Sequence, residues 1–362
     1  MTARTTDRQL TESRPSEQQN AGRDVTSPEP TDRQPLLSVR RMSVRFRMRG
    51  GREIAAVTDV SLDLAPGECL ALVGESGCGK SVLASALLGL LPGNAYVTGQ
   101  ALLHEGGEAL DLLATDEATL ARTVRGRRVG LVPQSPAAHL TPVRTVRAQL
   151  AETVRELTGA RKDDLAAATR AAADRAAFPA DHLDRYPHQL SGGLAQRAAT
   201  ALALVGEAPL LLADEPTTGL DRDLVERTVD ELRAHTGEGR GLLIITHDLA
   251  AAQRVADRVA VMYAGRVVEL TDAPGFFGAR GPRHPYARGL LDALPDRAFT
   301  PIPGRPPELG DLPEGCAFAP RCDRATARCA TVPARTDTVA CHHPLGAAEE
   351  ARRDERTERS RA

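Results

Sequence analysis

Eight consecutive residues constrain this chain more than any others: Gly74-Glu75-Ser76-Gly77-Cys78-Gly79-Lys80-Ser81. The apolar run Cys69-Leu70-Ala71-Leu72-Val73 before them reads as a short buried strand. Val82-Leu83-Ala84-Ser85-Ala86-Leu87-Leu88 after them reads as a helix. Strand, then G-x-x-x-x-G-K-S, then helix is the context in which this pattern holds phosphate. Glycine lets backbone N–H groups curl around phosphate oxygens where a side chain would block the approach. The helix N-terminus adds partial positive charge, Lys80 reaches the β- and γ-phosphates, and the Ser81 hydroxyl suits Mg²⁺. The competing reading is a Gly-rich turn with a chance lysine. Lysine usage decides against it, because Lys80 and Lys162 are the only lysines and arginine takes nearly every other cationic position. An arginine fork would overfill a nest that a compact ammonium fits. The chain is therefore read as binding a nucleoside triphosphate.

Composition bounds the rest. A chain of 362 residues can hold two or three domains with a sizeable core. A formal net charge of −2 gives no electrostatic footprint for nucleic acid, so no nucleic-acid partner is expected. No segment approaches the roughly 20 apolar residues of a spanning helix. The polar N-terminus carries no apolar signal region, so a cytosolic chain is expected, with any membrane role needing another chain to span. Six cysteines in that setting favour metal binding or chemistry over disulfides. Cys69 and Cys78 flank the phosphate loop, while Cys316, Cys322, Cys329 and Cys341 crowd toward the C-terminus.

Residues 1–35 are rich in Thr, Ser, Glu, Gln, Arg and Pro without apolar periodicity and are expected to be disordered. Strands are expected near Leu36–Phe46 and Ile54–Leu64, the second delivered by Pro66-Gly67 into the phosphate-loop strand. Phe46, a scarce aromatic, reads on its own as core. Residues from Pro92 to about Arg128 read as loop-rich, then Val129-Gly130-Leu131-Val132 as a buried strand ending at Pro133-Gln134. Thr145 to about Ala177 reads as helical. At Leu190-Ser191-Gly192-Gly193 a serine N-cap and two glycines present backbone donors that could meet a phosphate, or simply cap a helix. Leu210-Leu211-Leu212-Ala213-Asp214-Glu215 is a strand ending in two carboxylates. The first suits Mg²⁺ and the second an attacking water. Gly219-Leu220-Asp221 opens a helix, Leu242–Thr246 is another buried strand ending at His247-Asp248, and Val259–Tyr263 with Arg266–Leu270 reads as a hairpin. Strands alternating with helices, with polar residues at their carboxyl ends, describe an α/β fold with a ligand along that edge.

In this order, the phosphate loop, Gln134, Ser191-Gly192-Gly193, Asp214-Glu215, Asp221 and His247 resemble the nucleotide-binding subunit of an ABC transporter, over residues 36–345. Pro282-Arg283-His284-Pro285-Tyr286-Ala287-Arg288-Gly289-Leu290-Leu291 and the four-cysteine tail resemble the ATPase subunits of oligopeptide/dipeptide/nickel importers. The fold this implies is a P-loop, RecA-like α/β core with an antiparallel β-subdomain and a helical subdomain near 135–190. A small Cys-rich C-terminal domain would follow. The implied boundaries are a disordered tail at 1–35, an ABC ATPase domain at 36–278, a C-terminal domain at 279–345 and a charged disordered tail at 346–362.

The resemblance also implies roles. Phe46 would stack on adenine, Gly74 to Ser81 with Val82 would bind the phosphates of ATP, and Ser81, Gln134 and Asp214 would serve Mg²⁺. Glu215 would be the general base, with His247 on the γ-phosphate and Gln134 sensing the attacking water. Ser191, Gly192 and Gly193 would reach the partner's ATP and Asp221 would couple the two sites. Leu194 and Ala195 replace the polar residues of the most familiar signature, which leaves the Ser-Gly-Gly contact intact. Cys316, Cys322, Cys329 and Cys341 would hold a [4Fe–4S] cluster, with zinc as the alternative. The implied function is that of an ATPase, peripheral on the cytoplasmic face of the plasma membrane, powering uptake of di- or oligopeptides. Its partners would be a second ATPase subunit in a heterodimer, two permease subunits and, indirectly, a solute-binding protein. Nickel or another small solute is the alternative cargo. A soluble ABC ATPase of DNA or ribosome maintenance lacks support: neither a long coiled-coil insertion nor a second ATP site is present.

Overall fold

Strand β3 (Cys69–Val73) is buried at every residue, and its side chains divide by parity between two cores. Leu70 and Leu72 enter one apolar cluster, and Cys69, Ala71 and Val73 the other. β7 (Leu210–Asp214) and β8 (Gly241–Thr246) repeat the division: Leu210, Leu212, Leu243 and Ile245 face one side, Leu211, Ala213, Leu242 and Ile244 the other. A strand covered on both faces reads as a continuous apolar run, which is why these segments stand out in the sequence. The computed structural model describes residues 34–346 apart from Asp337. Nearly all of the two tails expected to be disordered, 1–35 and 346–362, lies outside the described residues.

With β6 (Val129–Val132), β9 (Arg258–Tyr263) and β10 (Arg266–Asp272), these strands form a six-stranded sheet of order β10-β9-β3-β8-β7-β6. All neighbours are parallel except the β9–β10 hairpin. Parallel pairing places the carboxyl ends of β3, β8, β7 and β6 side by side. The register sets Val73 opposite Thr246, Asp214 opposite Ile245 and Val132 opposite Ala213.

One face packs on the helix Lys80–Leu87, through Leu83, Ala84 and Leu87, and on a second sheet. That sheet is antiparallel, of order β2-β1-β4-β5, from β1 (Leu37–Arg47), β2 (Glu53–Leu64), β4 (Ala95–Glu105) and β5 (Glu108–Asp111). β4 and β5 fall where the sequence reads as loop. The first half of β4, Ala95 to Gln100, is largely exposed and does not alternate apolar with polar residues, and pairing along β1 holds it in place.

The helices Val146–Thr158, Leu165–Arg175 and Gly192–Leu204 form a lobe with its own core, around Leu150, Val154, Ala173, Phe178, Leu183 and Ala198. The helical stretch expected from Thr145 to about Ala177 comprises two helices, the first capped at Gly159.

The other face of the parallel sheet carries the helices Arg222–Ala234, Leu249–Val255 and Pro285–Asp292. Tyr286, Ala287, Leu291 and Phe318 share that cluster with Val73, Val261 and Tyr263, and Ile302, Leu312, Cys316 and Cys322 pack against it. The C-terminal segment is thus built onto the sheet's core, among the described residues, instead of enclosing a separate apolar cluster. No helix among the described residues is long and apolar enough to cross a membrane.

Candidate nucleotide site

The phosphate loop leaves β3 at Gly74 and enters its helix at Lys80. Two glycines in it tolerate no substitute. A Cβ on Gly74 would lie 2.2 Å from the Met262 carbonyl oxygen, and one on Gly79 would lie 2.2 Å from that of Ala56, with φ of +152° and +106°. The loop is therefore held against the backbones of β9 and β2 at two points where only glycine fits. Lys80 is buried, and its Nζ donates to the carbonyls of Gly74 at 2.7 Å and Glu75 at 3.1 Å. Its ammonium thus lies inside the curl of the loop, where phosphate oxygens can compete for it.

The acids at the end of β7 differ in environment. Asp214 is buried, and burial raises its pKa, opposed by a hydrogen bond from Ser81 and by the charge of Lys80. One of its oxygens, Oδ1, is buried without a hydrogen-bond partner. A carboxylate beside a hydroxyl, with one oxygen unsatisfied, fits a divalent cation brought in with the nucleotide. Glu215 follows with a left-handed φ of 50°, unusual outside glycine, and its N–H donates to the Ile245 carbonyl at 2.8 Å. Its Oε2 lies 2.7 Å from His247 Nδ1. The glutamate side chain is 8% exposed and the histidine 62%, so the pair joins a shielded carboxylate to an open imidazole. Gln134 follows β6 on the same edge and is exposed.

The other expected residues gather elsewhere. Ser191 caps the helix Gly192–Leu204, its Oγ accepting the Leu194 N–H at 3.3 Å. A Cβ on Gly193 would meet Leu220 Cδ2 at 3.2 Å, so the Ser-Gly-Gly stretch abuts Gly219-Leu220 just before Asp221. Asp221 in turn caps the helix Arg222–Ala234, and its charge offsets part of the burial that lowers the pKa of Arg197. Phe46 is half-buried against the core of the antiparallel sheet, paired across from Ile54.

The expectation of a metal cluster in the tail is overturned. Among the described residues, no group of three or more His, Cys, Asp or Glu is placed to hold a metal ion. The [4Fe–4S] cluster expected on Cys316, Cys322, Cys329 and Cys341, and its zinc alternative, are therefore withdrawn. None of the four is in a disulfide, and burial pushes the thiols of Cys316, Cys322 and Cys341 up. The adjacent imidazoles have other partners: His342 Nε2 is 3.0 Å from the Thr331 carbonyl and His343 Nε2 is 2.6 Å from Thr326 Oγ1.

Two contacts to the phosphate loop have no local signal in the sequence. The Tyr286 hydroxyl accepts the Glu75 N–H at 2.8 Å, and Arg321 forms a forked ion pair with the Glu75 carboxylate at 2.7 and 3.0 Å. The His284-Pro285-Tyr286 stretch makes Tyr286 distinctive but does not point to the phosphate loop, and nothing around Arg321 does either.

A phosphate loop, strand-tip acids and a capped glycine signature on one α/β core define an ABC nucleotide-binding domain. Residues 57–218 match the ABC transporter family, and residues 268–329 match the oligopeptide/dipeptide transporter C-terminal region. The chain is 39% identical over 328 residues to a "Putative peptide import ATP-binding protein" of Brucella melitensis biotype 1, covering 86% of this chain and 96% of that protein. It is 41% identical over 320 residues to the oligopeptide transport ATP-binding protein OppD of Mycobacterium tuberculosis, covering 85% of this chain and 51% of that one. In fold it is similar to a dimeric ATP-binding cassette in a post-hydrolysis state bound to ADP and Pi, with a TM-score of 0.59, 24% identity and coverage of 66% and 100%. A bacterial Atm1-family ABC exporter with ATP bound is also similar, with a TM-score of 0.53, 27% identity and coverage of 70% and 41%. The chain belongs to the ATP-binding subunits of the oligopeptide/dipeptide ABC importer family. It is an ATP-binding and ATP-hydrolysing subunit of an ABC importer.

Proposed function

We propose that this chain powers import of di- or oligopeptides, working from the cytoplasmic face of the membrane as one member of an ATPase pair. Peptide cargo is supported by the names of the relatives in Brucella and Mycobacterium. The ATPase domain would span residues 36–278. The segment 279–345 would follow it as the region typical of this family. The observation that carries the site assignment is the shared edge of β3, β8, β7 and β6, where the phosphate loop, the Glu215–His247 pair and Gln134 emerge side by side.

Gly74 to Ser81 and Val82 bind the phosphates, and Phe46 is the aromatic assigned to adenine. Ser81, Asp214 and Gln134 would hold Mg²⁺, whose contribution is to neutralise charge on the β- and γ-phosphate oxygens. Glu215 takes the proton of the attacking water; its pairing with His247 fixes the direction of the carboxylate. His247, largely exposed, keeps its other ring nitrogen for the γ-phosphate. Ser191, Gly192, Gly193 and Asp221 form a separate, outward group. That arrangement suits a composite site in which they serve ATP held by a second ATPase subunit, with a heterodimer preferred. Permease subunits would carry the peptide, delivered by a solute-binding protein.

The test is reconstitution of the chain with its partner ATPase and permeases in vesicles, measuring ATP-dependent uptake of labelled dipeptide, pentapeptide and Ni²⁺. Peptide uptake abolished by Lys80→Ala is the expected result. Uptake of Ni²⁺ alone would overturn the cargo assignment.

A further inference from the structure

The second residue of the phosphate loop is an acid. A loop that receives a triphosphate thereby places a carboxylate, Glu75, beside like charge, which opposes binding unless something cancels it. Arg321 does so: its Nη1 and Nη2 donate to Glu75 Oε2 and Oε1 at 2.7 and 3.0 Å. The Arg321 side chain is 5% exposed and is fixed from behind. Its Nε donates to the Pro303 carbonyl at 2.8 Å, its Nη1 lies 3.3 Å from Tyr263 Oη, and its guanidinium carbon is 5.8 Å from the ring centroids of Tyr263 and Phe318. A planar fork held this way is preorganised for one carboxylate. The backbone of the same residue is gripped separately, because the fully buried Tyr286 accepts the Glu75 N–H at 2.8 Å. Beside these contacts, Glu75, Gly77 and Cys78 share a cavity of about 330 Å³ with Pro306, Leu309 and Gly310 of the C-terminal segment.

We propose that the C-terminal segment is a working part of the ATP site, with Arg321 and Tyr286 as positioning residues that hold the phosphate loop through Glu75 and cancel its charge. The inference rests on the reading that Gly74 to Ser81 holds the phosphates. It separates two effects that a merely structural contact would not. Removing Arg321 alone leaves a bare carboxylate facing the phosphates, whereas removing both charges leaves the loop neutral.

The experiment titrates the full-length chain with MgATP by calorimetry and follows thermal melting of each variant. Arg321→Met should raise the Kd for MgATP about tenfold, the scale of one nearby charge in a partly screened site. Adding Glu75→Gln to Arg321→Met should recover binding to within about threefold of wild type. Tyr286→Phe, which deletes only the acceptor, should raise Kd by about threefold to tenfold. Binding by Arg321→Met within about twofold of wild type would overturn the proposal. So would a double variant no better than the single one, since the contact would then be structural only. If Arg321→Met fails to fold, Tyr286→Phe decides, and unchanged affinity there is equally fatal. Lys80→Ala distinguishes the two levels. Undiminished ATP binding by Lys80→Ala rejects the phosphate site itself, whereas its loss beside normal binding in Arg321→Met and Tyr286→Phe rejects only the C-terminal grip.

Discussion

His284 ties part of the acid stability of this protein to a buried ring. The residue is 1% exposed, and its Nδ1 accepts the Tyr286 N–H at 3.1 Å, capping the helix Pro285–Asp292. Nδ1 can accept only while unprotonated, and burial pushes the pKa down from 6.5 to about 4. An unfolded chain takes up a proton on this residue below about pH 6.5, and the folded chain does not until about pH 4. Its contribution to stability is therefore complete above the unfolded pKa and is lost as pH falls through that window. At 1.36 kcal/mol per unit, the whole shift corresponds to about 3 kcal/mol, of which about 2 kcal/mol is lost by about pH 5. Glu269, which accepts the His284 N–H at 2.7 Å, has its pKa raised by burial and shifts the balance the opposite way. His235, also pushed down to about 4, adds a similar acid loss elsewhere. Both cancel when the wild type is compared with His284→Asn, since asparagine can still cap a helix but does not titrate. Urea denaturation of the two proteins at about pH 7.5 and about pH 5 is the assay. The wild type should lose about 2 kcal/mol more than the variant between these conditions. Parallel losses, agreeing within about 0.5 kcal/mol, would refute the burial argument.

Three further outcomes test the site. Glu215→Gln should lower ATP turnover by about 10²–10⁴ while MgATP binding, measured by calorimetry, is retained. Ser191→Arg should leave ATP binding by the isolated chain intact and impair hydrolysis by the assembled complex; lost binding in the isolated chain would contradict the composite site. Gly79→Ala should lower the melting temperature and abolish ATP binding, since its Cβ would press on the Ala56 carbonyl at 2.2 Å and the left-handed backbone costs about 1–3 kcal/mol by itself.

What was legible in the sequence was whatever is local. β3, β7 and β8 are short apolar runs because both faces are covered, and the phosphate loop follows β3 directly. Helix caps at Ser191 and Asp221 also lie where residue types place them. β4 escaped notice because its outer half is exposed, and only β1, far back in the chain, tells it to be a strand. The Arg321–Glu75 pair joins residues 246 positions apart, and one more arginine in an arginine-rich chain announces nothing. Cysteine spacing alone does not decide a metal site: the charges of Cys316, Cys322, Cys329 and Cys341 act on one another in the fold, yet among the described residues no group of three or more His, Cys, Asp or Glu is placed to hold a metal ion.

The near-absence of lysine gives the chain a built-in strain gauge. Lys162 sits exposed in the turn between the helices Val146–Thr158 and Leu165–Arg175, while Lys80 is 6% exposed at the heart of the phosphate loop. A lysine-specific protease therefore meets one accessible bond in the described fold, and its first cut parts the phosphate loop from the serine-glycine signature. A second cut, after Lys80, requires the loop to open. The ratio of the two fragment patterns would read loop opening directly, with nucleotide expected to suppress the second cut and leave the first untouched.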